Sequence, residues 1–135
     1  METLLAMRGI AAPRRQAIAE VGNFAARSPG TAREMILHAT WLLDAARVSW
    51  VLFTATRQLR NAFSRLHLAP LDLAGASRER LHDDGTDWGD YYATQPRVMC
   101  GNVAAGRAFL SRQLDDEEAE GRDAVSAQPC LAGAR

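Results

Sequence analysis

The sequence predicts an all-α fold, a small bundle of three or four helices built on one long central helix over about residues 31–67, and three observations predict it. Between Thr31 and Pro70 neither proline nor glycine interrupts the chain. Apolar residues in that stretch recur at helical spacing, on two faces rather than one. The stretch opens with Thr31 and Glu34, the spacing of a capping box, in which the hydroxyl accepts from a first-turn amide and the carboxylate reaches back to the cap.

A first helix is expected from Pro13, whose fixed φ suits the first helical position, to about Arg27, with Ala17, Val21, Phe24 and Ala25 on one face. Ser28, Pro29 and Gly30 stop it. The central helix would span about 55 Å at 1.5 Å per residue. Met35, Ile36, Ala39, Leu43, Ala46, Trp50 and Phe53 form one apolar stripe; Trp41, Ala45, Val48 and Leu52 form the other. The second stripe continues as a heptad-like seam through Ala55, Leu59, Ala62 and Leu66, with Phe63 beside it. A helix apolar on two faces must be covered on both, so Trp41, Val48, Leu52, Leu59, Phe63 and Leu66 are the expected partner seam.

Pro70 ends the helix, and residues 71–95 read as a loop region with one short helix near residues 77–82. A last helix is expected from Thr94, with Met99, Val103, Leu110 and Leu114 as its apolar face. Gly101 and Gly106 weaken that helix by about 1 kcal/mol each relative to alanine, or allow close contact with a neighbour. From Asp115 the chain is acidic and poor in large apolar residues, which reads as a disordered acidic C-terminal tail. The domain reading is therefore a single α-helical domain over 1–114 and a flexible tail over 115–135.

With 135 residues, 47% of them hydrophobic and 24% charged, one domain can bury a core without disulfides. Cys100 and Cys130 stand far apart and form no metal or redox pair, so a reducing, cytoplasmic setting is expected. Glu2 at the start and Arg8, Gly9 and Pro13 soon after argue against a secretory signal. The most hydrophobic window, residues 35–55, carries His38, Asp44 and Arg47, and a central Asp or Arg costs about 2.5 to 3.5 kcal/mol in a membrane; no membrane contact is expected.

The net charge of zero hides an asymmetry. Residues 1–70 hold nine Arg against four acidic residues, and residues 71–135 hold seven Arg against twelve. All sixteen basic residues are arginine. Arg57, Arg60 and Arg65 lie opposite or beside the leucine seam of the expected helix, a basic face suited to phosphates or to pairing with the acidic tail.

The run Arg-Ser-Pro-Gly-Thr-Ala-Arg-Glu at residues 27–34 resembles the turn and recognition-helix start of bacterial helix-turn-helix proteins. That resemblance implies a helix before the turn, with Ala and Gly closer to the capping Thr than Ala19 and Gly22 are to Thr31. Residues 83–90 are acidic, but the sixth residue from Asp83 is Trp88, where a calcium loop needs glycine. His38, His67 and His82 sit in no motif that ties them to a nucleophile or a metal, and glycine patterns that cradle phosphate are absent. Asp87, Trp88, Tyr91 and Tyr92 form an aromatic and acidic cluster suited to a surface anchor or to the end of a core.

The expectation is a non-enzymatic protein–protein interaction or regulatory module without a cofactor or metal, self-associating along the seam. The second expectation is a small nucleic-acid-binding protein using Arg57, Arg60 and Arg65, aided by Arg27 and Arg33.

Overall fold

The computed structural model describes residues 2–11, 13–22, 24–76 and 89–126. The fold is mixed α/β. Its elements are α1 (Glu2–Ala6), β1 (Ile18–Val21), α2 (Pro29–Ala45), β2 (Trp50–Ala55), α3 (Arg57–Arg65), β3 (Leu71–Gly75), β4 (Arg97–Asn102) and α4 (Val103–Ser126). Short 3-10 turns occupy Arg15–Ala17 and Gly89–Thr94.

The all-α bundle is thereby overturned, and the long central helix with it: residues 31–67 divide into α2, β2 and α3. The stop after α2 is made by Arg47, at φ 57°. The Val48 amide donates to the Leu43 carbonyl at 3.0 Å and the Arg47 amide to that of Asp44 at 2.9 Å. These two bonds are a Schellman motif, which satisfies the last carbonyls of the helix and turns the chain away. His67, at φ 55°, ends α3 in the same way, with Leu68 bonded to Phe63 and His67 to Ser64. In α1 the left-handed residue is Gly9, with Ile10 bonded to Leu5 and Gly9 to Ala6.

Helix α2 starts earlier than the capping box suggested. Ser28 is its cap, with extended backbone and an Oγ that accepts from the Thr31 amide at 3.2 Å, and Pro29 takes the first turn. The helix expected from Pro13 to Arg27 is instead a 3-10 turn leading into β1. The helix expected at Thr94 is preceded by β4 and starts at Val103, where Asn102 Oδ1 accepts from the Ala105 amide at 2.9 Å. Residues 115–126, expected as a disordered tail, continue α4. The short helix expected at residues 77–82 lies outside the described residues.

The strands form one sheet in the order β1-β2-β4-β3. β1 and β2 are parallel, with α2 in the crossover between them, while β2 with β4 and β4 with β3 are antiparallel. The run Trp-Val-Leu-Phe-Thr-Ala suits a strand because branched and aromatic side chains pack well on a pleated surface. Its Val51, Phe53 and Ala55 share a face with Val21, Met99 and Gly101, as their register dictates.

The core lies between this face and the helices: Ala32 and Ile36 of α2, Leu59 and Ala62 of α3, Leu66 after it and Leu110 of α4 join Phe53, Ala55 and Met99. Phe53 stacks on Phe63 at 5.2 Å between centroids and meets the edge of Phe24 at 6.2 Å. Cys100 points to the opposite face, is fully buried, and lies outside this cluster, as does the buried Leu5. Burial pushes the Cys100 thiol pKa up, against a smaller lowering by the Arg8 guanidinium. Arg8 Nη2 also donates to the Asp72 carbonyl at 2.5 Å, tying the segment after α1 to β3.

Phe53→Ala should lower the free energy of unfolding by about 3–5 kcal/mol, read as a lower urea midpoint at unchanged slope. Because the folded Cys100 thiol holds its proton to higher pH than the unfolded one, its contribution is complete below the ordinary thiol range. Stability of the reduced protein should fall as pH rises from that range through the raised value. Urea midpoints measured across alkaline pH should show this slope in Cys130→Ser and a shallower one in Cys130→Ser with Cys100→Ala.

Candidate functional site

A cavity of about 460 Å³ opens between α2, α4 and the helix-covered face of the sheet, and extends to the end where β2 begins. Ile36, Ala39, Thr40 and Leu43 of α2 form one wall, and Val103, Gly106 and Phe109 of α4 another. Val21, Val51, Phe53 and Gly101 make the floor, with Phe24 and Phe63 beside it. His67, Leu68, Pro70 and Leu71, together with Trp50, Asn102 and Ile10, complete the lining. This volume falls in the range of small-molecule sites, about 300–1,000 Å³.

Small residues keep the space open. A Cβ added at Gly106 would come no nearer than 3.9 Å to Thr40 Cγ2, and one at Gly101 no nearer than 3.7 Å to Val51 Cγ1. Neither glycine is forced by backbone conformation, and each leaves volume where a side chain fits. In the sequence Gly101 and Gly106 read as weakening the last helix or allowing close contact with a neighbour, and neither reading predicts a cavity; the aromatic residues of the floor read as parts of helix faces.

Few polar groups line the cavity. Thr40 Oγ1 donates to the Ile36 carbonyl at 2.7 Å and is thereby engaged within its own helix. Asn102 uses its Oδ1 on the Ala105 amide, which leaves its side-chain NH₂ group. The exposed His67 ring has no hydrogen-bond partner among the described residues. Such a lining supports binding of an apolar group with a few polar contacts.

The expected partner seam is not a continuous surface. Trp41 is on α2 with the Arg107 guanidinium 4.9 Å from its ring centroid, Val48 follows the Arg47 turn, and Leu52 is in β2. Leu59 and Leu66 are buried in the core, and Phe63 packs against it. Of the three arginines, Arg57 Nη2 donates to Gln95 Oε1 at 3.0 Å and Arg60 Nη2 to the Gln95 carbonyl at 3.2 Å, while Arg65 is exposed at the end of α3. Two of the three are therefore already turned to one glutamine, at φ 51°.

The run at residues 27–34 is the cap and first turn of α2, preceded by strand β1, so the helix implied by the helix-turn-helix resemblance is not there. His38 Nδ1 lies 2.9 Å from the Glu34 carbonyl, one turn back. His82 and residues 83–88 of the acidic run lie outside the described residues, as do Asp87 and Trp88 of the aromatic cluster. Tyr91 and Tyr92 meet edge to face at 5.3 Å; burial, and then Tyr92, raise the Tyr91 pKa. Among the described residues no helix is long and apolar enough to cross a membrane.

No curated protein and no solved structure matches the chain. A family model does: that of thermostable hemolysin matches residues 1–107, from α1 through the first turn of α4, a span that contains the whole sheet and most of the cavity lining. Neither this match nor the fold supports the regulatory role expected from the sequence. With 107 of its 135 residues covered, the chain belongs to the thermostable hemolysin family.

Proposed function

We propose that this chain is a non-enzymatic binding domain that takes an apolar chain of a lipid into the cavity between α2, α4 and the sheet. The observation that carries the reading is the lining itself: about 460 Å³ walled by Phe24, Phe53, Phe63 and Phe109 together with branched aliphatic side chains. Water in such a space gains little from the walls, so an apolar occupant is favoured by release of that water and by contact with the rings. Each methylene buried contributes about 0.8 kcal/mol, or about fourfold in affinity.

The family's description points the same way. A hemolysin is defined by lysis of red cells, and a domain that seats a lipid chain has a direct means of acting on a membrane without a spanning helix. The binding role expected from the sequence is kept; the occupant changes from a protein partner to an apolar chain. The arginines of α3 add little to a nucleic-acid reading, because Arg57 and Arg60 are turned to Gln95.

Trp50 lines the cavity and reports on it. In a Trp41→Phe, Trp88→Phe background, titration with straight-chain alcohols should shift the Trp50 emission saturably, with affinity rising about fourfold per added methylene. Gly106→Leu, which places a side chain in the cavity, should abolish the shift while circular dichroism stays unchanged. An emission that responds to no alcohol overturns the reading. Lysis of red cells by the purified chain, weakened by the same substitution, is the outcome expected if binding underlies the family's effect.

A further inference from the structure

The cavity has a polar end and an apolar end, and the topology fixes which is which. Trp50, the first residue of β2, pairs with Asn102, the last of β4, and Leu71, the first of β3, pairs with Cys100. These termini therefore lie at one end of the sheet. Helix α4 starts there, directly after Asn102, and α3 ends there, because the loop of residues 66–70 leads from it into β3. That loop carries His67. Phe53 lies three residues farther along β2, about 10 Å from Trp50 at the rise of a strand. The aromatic group it forms with Phe24 and Phe63 lies at that depth.

The polar end offers donors. Asn102 Oδ1 accepts from the Ala105 amide, and the side-chain NH₂ group is left to donate to a ligand. His67 adds a ring N–H, and no aspartate or glutamate is among the described residues that line the cavity. The amino-terminal turn of α4 adds the positive end of its dipole. Donors without a facing carboxylate select an acceptor-rich, anionic head. The space, about 460 Å³ and apolar along its walls, is of the size that takes one small ligand, a single chain.

We infer that the ligand is a single long-chain carboxylate, a free fatty acid, with its tail against Phe53 and Phe63 and its head at His67 and Asn102. This rests on the reading of the cavity as an apolar-chain site and adds the head group and the number of chains. His67 positions the head; Gly106 leaves room for the tail.

Calorimetric titration of the purified chain with myristate, tetradecanol and a myristoyl lysophosphatidylcholine, each below its micelle concentration, tests it. Myristate should bind about tenfold more tightly than tetradecanol, the effect of a hydrogen bond to a charged group. His67→Gly, chosen because glycine adopts the positive φ of that position and carries no side-chain donor, should bring the two close to parity and leave tetradecanol unchanged. Gly106→Leu should remove the binding of both. Equal affinities in the unaltered chain, a preference that survives His67→Gly, or tighter binding of the lysophospholipid would each overturn the inference while leaving an apolar-chain site in place. Failure of all three compounds to bind would instead remove the site itself.

Discussion

The ladder between β2 and β4 is the constraint on which the rest depends, because it is the contact that joins the two halves of the chain. It registers six residue pairs, from Trp50 with Asn102 to Ala55 with Arg97. Each strand has a second partner, β1 for β2 and β3 for β4, so the central backbone groups are satisfied on both edges. The alternation along β2 then decides the faces: Phe53 and Ala55 go to the helices, while Leu52 and Thr54 go the other way. Slipping the register by one residue would exchange these sets and expose the aromatic group that the helices cover. Placement of α2, α3 and α4 against one face follows from this alternation.

Some of this was legible in the sequence. A helix start near Thr31 is legible, although Ser28 and Pro29, which read as a stop, are its cap and first turn; Ile36, Leu59 and Leu66 are legible as apolar positions that need cover, and the core supplies it rather than a partner. The punctuation between elements is what the sequence hides. Three helices end in the same Schellman motif, but only the first uses glycine at the left-handed position; Arg47 and His67 occupy it in the others. A side chain there costs about 1–2 kcal/mol of backbone energy, which the two hydrogen bonds and the burial of Leu66 offset. Since neither arginine nor histidine signals a stop, residues 31–67 looked continuous. The short apolar run of β2 has no periodicity of its own that separates strand from helix, so its six residues were absorbed into the helix on either side.

The charge asymmetry was legible as a pattern but not as a purpose. Arg33 of the basic half reaches Glu117 in α4 at 3.7 Å, and Asp44 in α2 receives Arg107 from α4 at 2.8 Å. The second contact is reinforced by the same guanidinium lying over Trp41. Arg97 pairs with the Asp72 carboxylate across neighbouring strands. These pairs are at least partly exposed and contribute little each, about 0–1 kcal/mol; the first two join α4 to α2 and the third joins two strands. An arginine-rich helix face that reads as a phosphate track in one dimension becomes, in three, a clamp on Gln95.

Gly106 shows why the cavity is better understood as a site than as a packing fault. An apolar space of about 460 Å³ open to the surface has the size of a small-molecule site. Glycine inside a helix is less stable than alanine by about 1 kcal/mol. The position also has room for a side chain, with Thr40 as its nearest neighbour at 3.9 Å. Glycine there forgoes both helix propensity and wall contact, two stabilising terms that alanine or a larger apolar residue would supply at once. Nothing in the backbone requires the glycine, since its φ is that of an ordinary helix. Ala39 and Ala105, also small, line the cavity beside it. A ligand with the shape of a hydrocarbon chain restores the contacts this arrangement leaves unmade, and the binding energy it gains is the packing energy the folded chain does without.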